Sequence, residues 1–150
     1  GVFDKDISGM LERSVWFSET PAVKIMTPFE DIESVNVNEE EEKFIDMVVE
    51  TSRSRVPVYE DKKTNIIGYI HINDILWIWK ENGGKFSRSC IKPAFFIDQD
   101  KKISELLKDL QSGRTHVAFV KDKKNNIIGM VTLEDVVEEI VGEILDEYEL

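Results

Sequence analysis

Apolar residues return at intervals of three and four in two stretches of the chain, at Phe44, Ile45, Val48 and Val49 and again at Ile103, Leu106, Leu107 and Leu110. That period predicts one amphipathic helix per stretch, with a single stripe turned to a core. After each helix comes a short β-rich run (residues 56–59 and 117–120), a polar turn (residues 61–65 and 122–126) and a second apolar run (residues 66–70 and 127–131). Asp and Asn side chains suit tight turns, so each set predicts a β-hairpin. A further helix closes each stretch. Asn73 is expected to cap the first, through Ile75, Leu76 and Ile78, and Thr132, a weaker cap, the second, through Val136, Val137 and Ile140. Short runs at residues 34–37 and 94–97 add a leading strand to each, so β-α-β-β-α occurs twice and the class is α+β.

The two stretches are copies. Gly68 and Gly129 lie 61 positions apart, and Asp61 with Asp122, Asn65 with Asn126 and Asp74 with Asp135 keep that offset without a gap. A unit of roughly sixty residues buries too little apolar surface to be comfortable alone, so the copies are expected to pack sheet to sheet about a pseudo-twofold axis. The expected organisation is an N-terminal linker or helix over residues 1–23, a first repeat over 24–82, a Gly- and Ser-containing linker over 83–90 and a second repeat over 91–146. Residues 147–150 read as the start of a link to another domain. Within the first segment, Met10, Leu11 and Val15 give a weak helical pattern over residues 7–16.

Composition works mainly by exclusion. Hydrophobic residues make up 41% and charged residues 33% of the 150, a balance typical of folded domains. Thirty acidic against nineteen basic residues give a formal net charge of −11, which repels phosphate backbones and anionic headgroups, so nucleic acid is not an expected partner. An anionic ligand would need local basic side chains or a helix N-terminus. The single cysteine, Cys90, has no internal disulfide partner, which favours a reducing setting. No apolar run approaches the ~20 residues of a membrane span. The first residues, Gly1-Val2, and the last, Glu149-Leu150 directly behind a helical stretch, suggest part of a larger parent. Two histidines, one cysteine and no Walker-type phosphate loop offer no nucleophile–base pair, so an enzyme is not expected.

Three segments carry a family resemblance: Ile25-Met26-Thr27-Pro28, Ser54-Arg55-Val56-Pro57-Val58-Tyr59-Glu60, and the run from Gly129-Met130-Val131-Thr132-Leu133-Glu134-Asp135 to Val141-Gly142-Glu143-Ile144. They resemble the tandem cystathionine-β-synthase-type (CBS) pair of the CorC/hemolysin-C family, CNNM-like proteins of magnesium and cobalt transport. The resemblance spans nearly the whole chain. It departs from the family at Phe29, where arginine is common, and at the lysine-rich turn Lys121-Asp122-Lys123-Lys124-Asn125. It implies a cytoplasmic domain of a membrane-anchored protein, a homodimer of flat, disk-like form, and a ligand that is an adenosine nucleotide, AMP or ATP, with Mg²⁺ as a partner of its phosphates.

The pattern Gly129-x-x-Thr132-x-x-Asp135 places a hydroxyl and a carboxylate three apart at a helix start, on one side. A carboxylate there can accept hydrogen bonds from both vicinal hydroxyls of a ribose, and the resemblance assigns Asp135 and Thr132 to nucleotide binding. From spacing alone, an ordinary helix cap and dipole partner is the commoner meaning. The first copy reads Gly68-x-x-His71-x-x-Asp74, a weaker second pocket in which imidazole stands where threonine is expected. The resemblance also lets Thr27 and Arg55 line the ligand cleft, Arg55 answering phosphate charge with its planar guanidinium. An ion pair of Arg55 with Glu60 or Asp61 is the alternative.

The acidic residues from Glu134 to Glu149 suit a solvated helix face better than a metal site. Trp16, Trp77 and Trp79 are expected to pack helix interfaces, with one of the Trp77/Trp79 pair exposed. His116, beside a core strand, is expected to be structural or pocket-lining. The leading expectation is a regulatory nucleotide-binding module that biases the membrane domain of its parent; the alternative is a structural dimerisation module that binds no ligand.

Overall fold

Each apolar stripe becomes a helix in the computed structural model of the protein, which describes Leu11, residues 15–113 and residues 115–148, with side chains as far as Gly142 in the last helix. In chain order the elements are β1 (Thr27–Pro28), β2 (Val35–Asn36), α1 (Glu41–Glu50), β3 (Arg55–Glu60), β4 (Lys62–His71), α2 (Ile72–Glu81), β5 (Lys92–Pro93), β6 (Phe96–Asp98), α3 (Ile103–Gln111), β7 (Val117–Lys121), β8 (Ile127–Thr132) and α4 (Leu133–Tyr148). The β-α-β-β-α order therefore occurs twice. Two compact units result, Asp31–Phe95 on one side and Gly1–Glu30 with Phe96–Leu150 on the other.

In the unit Asp31–Phe95 the sheet order is β2-β3-β4-β5. Acidic Glu41 and Glu42 open α1, where the helix dipole favours them, and Thr51 closes it by donating its hydroxyl to the Val48 carbonyl. The helix turns Phe44, Ile45 and Val48 onto Val35, Val56, Val58 and Ile70, while Val49 stays exposed. Phe86 returns to stack beside Phe44, with ring centroids 4.6 Å apart. From α2 only Ile75 and Ile78 are buried, so Leu76, Trp77 and Trp79 face outward. Both tryptophans are exposed, where the sequence led us to expect one. Two buried positions one turn apart make too narrow a stripe to cover either indole.

In the other unit the order is β1-β8-β7-β6, and Ile103, Leu106 and Leu110 of α3 are buried with Val117, Ala118, Phe119, Val120, Val131 and Val136. Leu107 is half-buried. Helical residues 15–19 precede β1; of the expected helix over 7–16, Ile7 and Met10 lie outside the described residues, and Leu11 and Val15 are exposed.

The strand that precedes each copy completes the other copy's sheet. β1, ahead of the first copy, pairs antiparallel with β8 (Thr27 opposite Met130, Pro28 opposite Gly129). β5, ahead of the second copy, pairs with β4 in the same register (Lys92 opposite Tyr69, Pro93 opposite Gly68). Gly68 and Gly129 thus hold equivalent hairpin positions, and each is a glycine because the crossing strand lies directly over it. A Cβ on Gly68 would run into the Lys92 carbonyl oxygen, and one on Gly129 into Met26 Sδ, with the Thr27 carbonyl oxygen at 2.7 Å.

The first hairpin turns more tightly than expected. Residues 62–65 belong to β4, and the reversal falls on Asp61 at φ 66°, with the Asn65 amide donating to the Glu60 carbonyl at 3.1 Å. In the second copy the turn is as long as expected. The Asp122 carboxylate accepts the backbone N–H groups of Lys124 and Asn126, each at 2.9 Å, and Asn125 takes φ 69°.

Two outcomes follow from this packing. Gly68→Ala and Gly129→Ala should each lower stability by about 1–3 kcal/mol, a melting-point fall of roughly 2–4 °C per kcal/mol. Gly68→Ala should be the worse, because the atom it meets is backbone rather than the end of a methionine; equal, unchanged melting curves would refute the close approach. The second outcome concerns acid. The Asn126 N–H, followed by that of Lys124, holds the Asp122 carboxyl below the ordinary aspartate value. A depressed folded-state pKa means that its contribution is complete above the unfolded value and is lost as pH falls through the folded one. The stability difference between wild type and Asp122→Ala should therefore be constant above about pH 5 and shrink below it in chemical denaturation. A difference independent of pH down to the acid limit would remove this role.

Candidate functional site

Neither copy spends a residue between its last strand and its last helix: β4 ends at His71 and α2 starts at Ile72, β8 ends at Thr132 and α4 starts at Leu133. A helix start leaves N–H groups without partners, and the chain has to supply acceptors at once. In the second copy Thr132 Oγ1 accepts the Asp135 N–H at 3.1 Å, and Asp135 Oδ2 accepts the Thr132 N–H at 2.9 Å. In the first copy His71 Nδ1 accepts the Asn73 N–H at 3.0 Å, and Asp74 Oδ2 accepts the His71 N–H at 3.0 Å. Both are reciprocal capping boxes. Carbonyls at the feet of β3 and β7 take the first helical N–H, Ser54 from Ile72 at 2.8 Å and His116 from Leu133 at 3.0 Å.

The cap of the first copy is therefore His71 and not Asn73, which donates where an acceptor was expected. β4 runs one residue further than the sequence suggests, so the cap position falls on the histidine. A neutral imidazole nitrogen serves as the acceptor that a threonine hydroxyl provides in the second copy.

The predicted site residues sort into the two units. Thr27, Thr132 and Asp135 fall in one unit, Thr27 opposite Met130 on β1, Thr132 at the end of β8 and Asp135 in the first turn of α4, with Gly129 of β8 under the Thr27 carbonyl. The box uses one carboxylate oxygen of Asp135 and one lone pair of Thr132, and among the described residues it leaves Asp135 Oδ1 and the Thr132 hydroxyl hydrogen for a ligand. Arg55 belongs to the other unit, where it opens β3 directly opposite His71 and so beside the Asp74 box. There the Lys92 ammonium sits 3.3 Å from Asp74 Oδ2. Thr27 and Lys92 occupy the same register position of the two sheets, one opposite Met130 and the other opposite Tyr69. Lys92 escaped sequence reading because the β1 and β5 segments are offset differently from the repeats they precede, and two-residue strands carry no periodicity.

His116 is half-buried at the start of β7, and its Nδ1 is buried without a hydrogen-bond partner among the described residues. Its carbonyl bond to Leu133 puts it at the same helix start as Thr132 and Asp135. An open cavity of about 360 Å³ in the other unit, lined by Glu41, Glu42, Ile45, Asp46, Trp79 and Gly84, shares no residue with either box. Among the described residues no three His, Cys, Asp or Glu side chains gather closely enough to hold a metal ion. The acidic side chains of Glu143, Asp146, Glu147 and Glu149 lie outside the described residues. No helix among the described residues is long and apolar enough to cross a membrane.

The CBS domain family matches the chain twice, over residues 22–80 and 88–142. The magnesium and cobalt efflux protein CorC of Pasteurella multocida (strain Pm70) is 31% identical over 149 residues, 99% of this chain and 50% of that protein. The chain spans about half the length of such curated relatives. Among solved structures, the CBS domain of the bacterial CNNM/CorC family Mg²⁺ transporter in complex with ATP is 32% identical with a TM-score of 0.80, covering 91% of this chain and 98% of that one. A CBS-domain pair with bound AMP from Klebsiella pneumoniae, 23% identical with a TM-score of 0.71 over 82% of this chain and 99% of that one, shares the fold. With two matched copies, the repeated β-α-β-β-α order and a solved relative covered almost end to end, the chain belongs to the CBS-domain family, as a tandem pair of the CNNM/CorC kind.

Proposed function

We propose that the chain is a regulatory module that binds an adenosine nucleotide through Asp135, Thr132 and Thr27, and that it serves a magnesium or cobalt transporter. The observation that carries this reading is the Asp135 box, which holds a carboxylate rigidly at a helix start while committing only one of its oxygens. Vicinal ribose hydroxyls need such an acceptor, and the Thr132 hydroxyl can donate to a sugar or phosphate oxygen. Support comes also from the solved CNNM/CorC relative, which was crystallised with ATP. His116 adds a ring nitrogen at the same helix start. Mg²⁺ enters only as the counter-ion of bound phosphates.

The module is proposed to lie on the cytoplasmic side of its parent and to bias the membrane domain, because a ligand that binds one arrangement more tightly shifts the balance toward it. One observation also favours a dimerisation role. Leu76, Trp77 and Trp79 of α2 and Val137 and Val141 of α4 are all about half exposed, and Leu76 and Val137 are equivalent positions of the two copies. Apolar helix faces left outward in both copies suit a homodimer.

Calorimetric titration with AMP, ADP and ATP, with and without Mg²⁺, tests the leading reading, and hydrolysis followed in the same samples tests for an enzyme. Asp135→Asn should weaken binding tenfold or more, about 1.5–3 kcal/mol, while keeping the box through its amide oxygen. Unchanged affinity would remove the main reason for the nucleotide assignment. For the dimer, the double change Leu76→Glu, Val137→Glu should give a folded monomer by light scattering at concentrations where wild type is dimeric. Wild type that stays monomeric at high concentration would refute the assembly.

A further inference from the structure

In both capping boxes the aspartate accepts the N–H of the last strand residue, and the two differ in what lies beside that carboxylate. At the register position where β1 presents Thr27 to the second copy, β5 presents Lys92 to the first. The lysine is placed by the same contact that places the threonine, since Gly68 lies under the Lys92 carbonyl as Gly129 lies under that of Thr27. Its ammonium reaches Asp74 Oδ2 at 3.3 Å, the oxygen that already accepts the His71 N–H. The carboxylate of the first copy is thereby charge-paired inside its own sheet. That of the second has the neutral Thr27 at the equivalent place.

We infer that Lys92 is the residue that makes the two copies unequal, holding Asp74 as an internal stand-in for ligand, so that the chain takes one adenosine nucleotide and not two. This rests on the proposed role of Asp135. A ribose entering the first copy would meet a carboxylate whose charge is already paired with an ammonium at Oδ2, whereas the Asp135 carboxylate of the second has only the Thr132 N–H on it among the described residues. The pair is partly solvated, with the lysine side chain 46% and the aspartate side chain 26% exposed, so the barrier is the ammonium's competition for the carboxylate's charge and not a sealed pocket. His71 contributes bulk, but its ring nitrogen is occupied in capping Asn73. The charge of Lys92 is therefore the feature whose removal changes the site.

The experiment is titration of the chain with AMP, read as stoichiometry. Wild type should bind one equivalent per chain, and Lys92→Thr, which copies Thr27, should bind two. Lys92→Ala serves as a second variant, and the circular-dichroism melt of each establishes that it is folded. Adding Asp74→Asn to Lys92→Thr should abolish the second equivalent and leave the first, and adding Asp135→Asn should do the reverse. One equivalent in both folded lysine variants would overturn the role of Lys92 while leaving the nucleotide reading intact. Two equivalents in wild type would overturn it as well. No binding by wild type would remove the nucleotide reading and this inference together.

Discussion

The demand of a helix N-terminus for hydrogen-bond acceptors, met with no loop residue to spare, is the constraint on which the rest of the molecule depends. Because β4 passes directly into α2 and β8 into α4, the last strand residue and the second or third helical residue must satisfy each other's groups. Ser54 and His116 then take the first helical N–H, which ties the helix to the other arm of its hairpin. Strand, hairpin and helix are thus joined by a few backbone and side-chain bonds at one point. The same atoms form the candidate site, so a ligand there would touch the junction of strand and helix.

A second constraint is the exchange of leading strands. β1 and β5 are two residues long and have no stability of their own; each exists because a glycine on the neighbouring strand lets a backbone carbonyl approach. The exchange brings residues distant in sequence, Thr27 and Lys92, to the carboxylate of a capping box. It explains how two copies with similar frames can differ in chemistry. The frame is set by glycine, aspartate and the hairpin, and the difference by whatever side chain the crossing strand carries.

Charge makes the same division. A net charge of −11 would repel a free phosphate chain, yet the proposed contact with the second copy is made through sugar hydroxyls, for which a carboxylate is the right partner. Where a lysine has been brought beside that carboxylate, as at Asp74, its charge is already paired.

The repeat, the α+β class, the four amphipathic helices and the placing of Thr132 and Asp135 on one side of a helix start were all legible in the sequence, because period, offset and cap chemistry are local properties. His71 as a cap was not, since its role depends on β4 running one residue further than its apolar pattern. The exposure of both Trp77 and Trp79 was not either, because it depends on how narrow a stripe of α2 the sheet covers. Sequence by itself determined the repeat, the helical stripes and the hydroxyl and carboxylate three apart at the second copy's helix start. Only the tertiary structure decided which strand crosses which sheet, and hence that Thr27 stands by one copy and Lys92 by the other. Strand pairing between distant segments is chosen by backbone approach and shared burial, and neither leaves a mark on two residues.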